Sequence, residues 1–334
     1  MVFIKAISYY LPKRVVTNAE LVEEFPEWTV EKIASKVGVD ERRVAAADET
    51  AVDMAVQAAE NLFEEFKNVR REDVDFVLFC TQSPDFFLPT SSCLIQSRLG
   101  LRDDIGALDF NLGCSGYVYG LAVAKGIVAS GLANNVLLIT SETYSKYIHP
   151  KDKGNRTIFG DAATATIISN EGYAEIKDFV LGTDGTGAEN LIVKSGAMRS
   201  PNRSGEVVFD ENGNPYPADY LYMNGAEIFT FTQSRVPNTM KEVLQKNGLT
   251  QEEIDLFVFH QANKFMLNTI RKVCVLPKDK FYVNLENTGN TVSSTVMIAL
   301  KDCLNKGIIR SGMNVMITGF GVGLSWGGTI LKFQ

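Results

Sequence analysis

Continuous apolar runs, separated by short polar turns, set the pattern of this chain. Phe76-Val77-Leu78-Phe79-Cys80, Val136-Leu137-Leu138-Ile139, Leu256-Phe257-Val258-Phe259 and Val315-Met316-Ile317 contain no strongly polar position. Strands of this kind do not alternate, so helices are expected on both faces of their sheet. Segments with helical spacing lie between them, for example Val52 to Phe66 and Val292 to Asn305. The opening Met1 to Tyr10 reads as a further strand, its apolar stretch being too short for a signal peptide. The alternation predicts an α/β protein with a mixed or parallel sheet.

The pattern also repeats. Residues 71–80 match residues 251–260, each an acidic turn followed by an apolar strand, at an offset of 251 − 71 = 180. Ser130-Gly131 and Asn135-Val136-Leu137-Leu138-Ile139-Thr140 are echoed by Ser311-Gly312 and Asn314-Val315-Met316-Ile317-Thr318, at 311 − 130 = 181 and 314 − 135 = 179. Echoes at nearly one offset predict two similar halves, residues 1–175 and 176–334. Residues 196–221, rich in Pro, Gly, Asn and Ser, interrupt the pattern and read as a long loop with a hairpin at Glu211-Asn212-Gly213-Asn214. A loop of that length is either functional or a tolerated surface insertion.

Composition removes several function classes. The 334 residues are 45% hydrophobic and 22% charged, which is ordinary for a globular protein. A net charge of −7 argues against a nucleic-acid partner. The five cysteines (Cys80, Cys93, Cys114, Cys274 and Cys303) form no CxxC pair, so neither a disulfide framework nor a metal site is expected. No apolar run reaches the roughly 18 residues of a membrane span. A reduced, cytoplasmic protein follows.

Chemistry concentrates in Asp109-Phe110-Asn111-Leu112-Gly113-Cys114-Ser115-Gly116-Tyr117. A strand ends there, the chain turns through small residues with Cys114 at the corner, and a long helix opens. Backbone N–H groups and the positive end of the helix dipole are the setting that activates a thiol. The bland alternative is a buried structural cysteine. Of the two histidines, His149 precedes Pro150 in a polar stretch and reads as an exposed loop residue. His260 follows the strand Leu256–Phe259, at the kind of sheet end where catalytic groups gather. Glu286 to Ser294, containing Asn290, reads as a strand, a polar loop and a helix start. In the repeated frame Asn290 falls near the corner equivalent to that of Cys114, so a Cys, a His and an Asn are expected around one cavity. Gly319-Phe320-Gly321-Val322-Gly323 would let backbone N–H groups approach a ligand and form an oxyanion hole.

Together these residues resemble the ketoacyl synthase III family of the thiolase-like superfamily. The motifs are Gly113-Cys114-Ser115-Gly116, Phe159-Gly160-Asp161-Ala162-Ala163, Met223-Asn224-Gly225-Ala226-Glu227-Ile228-Phe229, His260-Gln261-Ala262-Asn263, Gly289-Asn290-Thr291 and the glycine loop, in the family's order. The resemblance implies a thiolase-like αβαβα five-layer sandwich of two duplicated halves, a homodimer, and decarboxylative Claisen condensation without a cofactor. Cys114 would take the acyl group from a thioester. His260 and Asn290 would stabilise the enolate left when a malonyl thioester loses carbon dioxide. The backbone N–H groups of Cys114 and Val322 would hold the acyl oxygen.

The resemblance also places substrate contacts at Lys32, Lys36, Leu88 and Asn263. At the coenzyme A site the family typically has Trp and Arg where this chain has Lys32 and Lys36, so attraction for phosphate is kept and adenine stacking is lost. Trp28 is four residues early for that role. Leu88 aligns where a partner subunit closes the acyl pocket, which implies a short or medium acyl chain. Lys264, Asn268, Arg271 and Lys272 share one helix face, suited to an acidic carrier protein or to plain solvent. The expected partners are therefore acyl carrier protein and/or coenzyme A thioesters, with no nucleic acid and no membrane. The alternative activity is an acyltransferase or thioesterase on the same fold, passing the Cys114 acyl group to a small nucleophile or to water. A papain-like hydrolase is disfavoured by the local motif and the duplication.

Overall fold

The apolar runs become strands of one large sheet in the computed structural model, which describes residues 1–209, 215 and 218–334. The strands are β1 (Phe3–Tyr10), β2 (Arg14–Thr17), β3 (Glu41–Val44), β4 (Phe76–Cys80), β5 (Gly106–Phe110), β6 (Asn135–Glu142), β7 (Ala162–Ser169), β8 (Ala174–Ile176), β9 (Val180–Thr183), β10 (Leu191–Ile192), β11 (Tyr222–Met223), β12 (Leu256–Phe259), β13 (Asn314–Gly321) and β14 (Ser325–Phe333). The helices are α1 (Asn18–Glu24), α2 (Val30–Lys36), α3 (Ala51–Glu65), α4 (Ser91–Arg98), α5 (Gly116–Ala129), α6 (Lys153–Ile158), α7 (Gly225–Asn247), α8 (Lys264–Val273) and α9 (Thr295–Asn305).

Among the described residues the sheet has ten strands in the order β12-β13-β14-β8-β1-β7-β6-β4-β5, with β9 also paired to β14. Its two ends have matching logic. β4 pairs with β6 in parallel, and β6 with β7 antiparallel. At the other end β12 pairs with β13 in parallel, and β13 with β14 antiparallel. The boundary expected at 175/176 falls within β8, which joins β1 to β14.

Both faces of the strands are buried, as their unbroken apolar runs require. Val77, Phe79, Leu137 and Ile139 pack beneath α3, through Val52, Met54, Ala55, Ala59 and Leu62. The alternate residues Leu78, Val136 and Leu138 meet α5 and α9, which also cover Val258, Val315 and Ile317 of the other half. Phe257, Met316 and Ile330 face outward beneath α7 and α8. The two halves of the sheet lie on either side of α5 and α9, so that helix, half-sheet, paired helices, half-sheet and helix give the αβαβα sandwich. The middle layer is tight: a Cβ on Gly120 of α5 would lie 2.6 Å from Leu138. α3 is fixed at its start by a capping box between Thr50 and Asp53, an arrangement in which losing the cap costs about 1 kcal/mol.

Three expectations need correction. Residues 283–289 form extended coil and a turn rather than a strand before Asn290, because Gln261 holds that segment by accepting from the Asn284 N–H at 2.7 Å. α9 starts at Thr295 and α5 at Gly116, an offset of 295 − 116 = 179, so the position matching Cys114 is Ser293 and not Asn290. His149 is half-buried rather than exposed, with its ring edge-on to Tyr220 at 4.8 Å. The hairpin expected at Glu211–Asn214 lies outside the described residues.

Candidate active site

Cys114 sits in the turn between β5 and α5, two residues before the helix begins. The Gly116 N–H donates to the Gly113 carbonyl at 2.7 Å, closing the turn. A Cβ on Gly116 would lie 2.4 Å from the Cys80 sulfur, so only glycine lets the helix start this close to β4. On its other side Cys114 meets the end of β13. A Cβ on Gly321 would stand 3.0 Å from the Cys114 Sγ, and one on Gly319 would stand 2.9 Å from the Cys114 carbonyl oxygen. The glycine motif thus ends a strand and turns into a hairpin, and its missing side chains leave room for the thiol.

His260 reaches the same strand end. Its N–H donates to the Thr318 carbonyl at 2.8 Å, and its ring lies edge-on to Phe320 with centroids 5.4 Å apart. His260 Nδ1 is 2.7 Å from Thr295 Oγ1. The Thr295 hydroxyl is also 3.2 Å from the Val292 carbonyl. The Val292 N–H in turn donates to Asn290 Oδ1 at 2.9 Å, which leaves the Asn290 amide NH2 as its outward donor. His260 and Asn290 are therefore held by one short helical turn, and Cys114 and His260 by one strand end.

Asn290 is positioned by a close crossing of two motifs. Its N–H donates to the Ile158 carbonyl at 2.8 Å, and the Gly160 N–H donates back to Asn290 at 3.0 Å. Gly289 has a φ of +67°, and a Cβ there would lie 2.7 Å from the Ile158 carbonyl oxygen, so glycine is required twice over. Asp161 secures the crossing by accepting from the N–H groups of Ser145 at 3.0 Å and Ala45 at 2.8 Å. Val292, a β-branched residue at a φ of +56°, holds a backbone conformation that costs about 1–3 kcal/mol and recurs at functional sites.

Burial dominates the electrostatics. The Cys114 thiol is pushed up to about 12 by burial and by the nearby Glu142 carboxyl, against hydrogen bonding from its own N–H and that of Val322. The activation expected from the helix start is outweighed in the substrate-free protein. Burial alone carries His260 down to about 3, so its imidazole is neutral at pH 7. Burial raises Glu142 to about 8. Alkylation of Cys114 by iodoacetamide should therefore rise about tenfold per pH unit from pH 6 to 8, as thiolate accumulates far below the thiol's pKa. It should rise less steeply above pH 8, where ionised Glu142 opposes the thiolate. A plateau below pH 7, read by mass spectrometry of quenched samples, would contradict this ordering.

Glu142 and Gln82 carry no motif that singles them out in the sequence. Buried Glu142 accepts from the Gln82 N–H at 3.0 and 3.1 Å and from the Ser83 hydroxyl at 2.7 Å. Gln82 Nε2 donates to Asn111 Oδ1 at 2.9 Å, and the Gln82 carbonyl accepts from the Tyr147 hydroxyl at 2.7 Å. Together they brace the segment that leads into Cys114.

The remaining expected site residues scatter. Asn263 caps α8 by accepting from the Met266 N–H at 2.8 Å, so its side-chain oxygen is used structurally. Lys36 is exposed, and the Lys32 ammonium lies over the Trp28 ring, 5.0 Å from its centroid. Leu88 is 83% exposed. On α8, Lys264 and Lys272 are exposed, but Arg271 is half-buried and donates to the Leu276 carbonyl at 2.9 Å. Lys264 also lies 3.8 Å from Glu286. Among the described residues no group of three or more His, Cys, Asp or Glu side chains is placed to hold a metal ion. No described helix is long and apolar enough to cross a membrane.

Comparison with known proteins decides the family. Family models described as 3-oxoacyl-[acyl-carrier-protein] synthase III match residues 108–185, and for its C-terminal part residues 244–333. A beta-ketoacyl-[acyl-carrier-protein] synthase III from Caldanaerobacter subterraneus is 36% identical, over 97% of this chain and 96% of its own. The chain belongs to the ketoacyl synthase III family. A crystal structure of a 3-oxoacyl-(acyl-carrier-protein) synthase III superposes with a TM-score of 0.97 at 49% identity, covering 99% of both chains. The priming β-ketosynthase of the R1128 polyketide pathway superposes at 0.87 with 29% identity, over 100% of this chain and 97% of that one. The fold is therefore thiolase-like, and the protein is a condensing acyltransferase of the ketoacyl synthase III type. Its reaction is the decarboxylative condensation of an acyl thioester with a malonyl carrier.

Proposed function

We propose that Cys114 carries the acyl group and that His260 and Asn290 serve the decarboxylation. The observation that carries this reading is the sharing of supports. Cys114 and His260 meet one end of β13, and the Thr295–Val292 turn ties His260 to Asn290. The thiolate formed at Cys114 attacks the acyl carbonyl, the carrier thiol leaves with the proton, and the N–H groups of Cys114 and Val322 face the oxyanion. In the second half-reaction the malonyl thioester loses carbon dioxide, and the enolate oxygen takes hydrogen bonds from Asn290 Nδ2 and His260 Nε2. Its carbon then attacks the acyl-Cys114 carbonyl and expels the thiolate. For Nε2 to be a donor, the Thr295 hydroxyl must give its hydrogen to Nδ1, the shorter of its two contacts at 2.7 against 3.2 Å. A neutral imidazole suits this role, because it adds a donor without fixing a charge before the enolate forms.

The surroundings favour a carrier-bound primer. One face of the Trp28 ring, just before α2, is met by the Lys32 ammonium, and Lys32 and Lys36 themselves offer an adenine no aromatic surface. Stacking of that kind is worth about 1–3 kcal/mol per base. Lys264 and Lys272 offer exposed cations to an acidic carrier. The acyl thioester of a carrier protein should therefore acylate Cys114 faster than the matching acyl-CoA at equal concentration, by roughly tenfold, with the gap narrowing in salt. Equal or faster labelling by acyl-CoA would refute the preference.

A homodimer fits the exposed surface. Phe86, Phe87 and Leu88 are 59%, 74% and 83% exposed, and Leu108 on the edge strand β5 is 48% exposed. An apolar cluster beside an unpaired strand edge is a surface that a second copy would cover. Sedimentation at micromolar concentration should give a dimer, and a monomer would contradict the reading. The two halves, 1–175 and 176–334, we read as copies of one unit, on the matching pairs β4–β6 and β12–β13.

A further inference from the structure

Away from Cys114 a cavity of about 250 Å³ opens between α1, the β2–β3 pair and α6. It contains none of Cys114, His260, Asn290, Lys32 or Lys36. Its charged lining is Arg14, Arg42 and Arg156 against a single carboxylate, Glu24. Arg156 and Glu24 satisfy one another through two hydrogen bonds. That leaves two guanidinium charges without an acid in the wall.

Arg42 is the unusual member. It is 1% exposed, yet its hydrogen-bond partners are neutral: the Val16 carbonyl at 3.3 Å, Asn18 Oδ1 at 2.8 Å and the Thr157 carbonyl at 2.9 Å. Its Nε is buried and has no partner. A buried cation without an ion pair and with an idle donor is costly. Burial pushes its acidity down to about 10, against the opposing charge of nearby Asp40 and Glu41, with Arg156 adding to the shift. The rest of the wall is apolar, including Val16, Leu21 and Phe159. Exposed Arg14, Glu24 and Pro150 stand at the mouth.

We propose that this cavity is a binding site for a small amphiphilic monocarboxylate, its head on Arg42 and Arg14 and its tail against Val16, Leu21 and Phe159. Surplus positive charge selects an anion, and apolar walls select one with a hydrocarbon tail rather than bare phosphate. The volume holds about eight water-sized atoms at ~30 Å³ each, which matches a six-carbon acid.

The test is calorimetric titration of hexanoate into the intact protein, with Cys114 first blocked by N-ethylmaleimide so that the acyl site is closed. Saturable binding is expected, strengthening about fourfold per methylene from butyrate to hexanoate. Hexan-1-ol and inorganic phosphate should each bind at least tenfold more weakly, since each lacks one half of the recognition. Val44→Phe, which fills the cavity from its half-buried wall, should weaken hexanoate at least tenfold. Because Arg42→Gln would strip three hydrogen bonds and risk the fold, exposed Arg14→Gln carries the charge arm, with roughly threefold weakening. Absence of saturable binding would overturn the proposal, as would equal binding of hexan-1-ol or phosphate. Undiminished hexanoate binding in Val44→Phe would place the ligand elsewhere and overturn it too.

Discussion

Replacing Cys114 with alanine should abolish acylation and cut condensation by on the order of 10⁴-fold or more, the scale seen when a covalent nucleophile is removed. The reason lies in the setting and not in the thiol's resting acidity. Burial and Glu142 hold the thiol up to about 12, so little thiolate exists at pH 7 until a thioester arrives. Among the described free cysteines, Cys80, Cys274 and Cys303 are buried, and burial is the largest cause raising each of them. Cys93 is exposed. None of the other four is flanked by both a helix start and a glycine-cleared strand end. Quenched-flow acylation followed by intact mass should show no adduct in Cys114→Ala. The variant should keep its thermal stability, because the side chain removed is small.

Asn290→Ala should separate the two half-reactions. Its amide oxygen is committed to the Val292 N–H at 2.9 Å, so the substitution removes an outward NH2 donor and one local hydrogen bond. Loss of one oxyanion donor costs about 2.7–4 kcal/mol in the transition state, or roughly 10²–10³-fold in rate. That loss should fall on carbon dioxide release from a malonyl thioester, with acylation of Cys114 changed less than threefold. Equal loss of both steps would mean that Asn290 supports the whole site instead of the enolate. The main-chain contacts to Ile158 and Gly160 do not depend on the side chain, which keeps a structural effect small.

Much of the fold was legible because burial on both faces leaves a direct trace in composition. β4, β6, β12 and β13 coincide with the unbroken apolar runs, and α3 with the expected helix to within one residue at each end. The corner that holds His260 was legible for the same reason, since it ends such a run, whereas the corner of Cys114 follows the mixed strand β5 and was legible from its small residues and the helix they open. Asn290 stands in a sequence motif, whereas the strand expected before it is coil and a turn. Its segment is placed by tertiary hydrogen bonds to Ile158, Gly160 and Gln261, which leave no periodicity behind. Glu142 and Gln82 were missed because a buried carboxylate at the end of a strand looks like the start of a polar turn. The acidity of Cys114 was misjudged in sign, because sequence shows the helix start but not how deeply the turn is buried. The α8 face was over-read: spacing placed Arg271 with the lysines, yet its guanidinium bends back to the Leu276 carbonyl.

The most direct measurement of the central claim is peptide mapping of the Asn290→Ala protein, quenched in the presence of both an acyl carrier thioester and a malonyl thioester. With decarboxylation slowed and acylation intact, the acyl group should accumulate on the peptide containing Cys114, at close to one per chain, with little condensed product. An acyl adduct on Cys80, Cys93, Cys274 or Cys303, or the absence of any adduct while condensation proceeds, would contradict it.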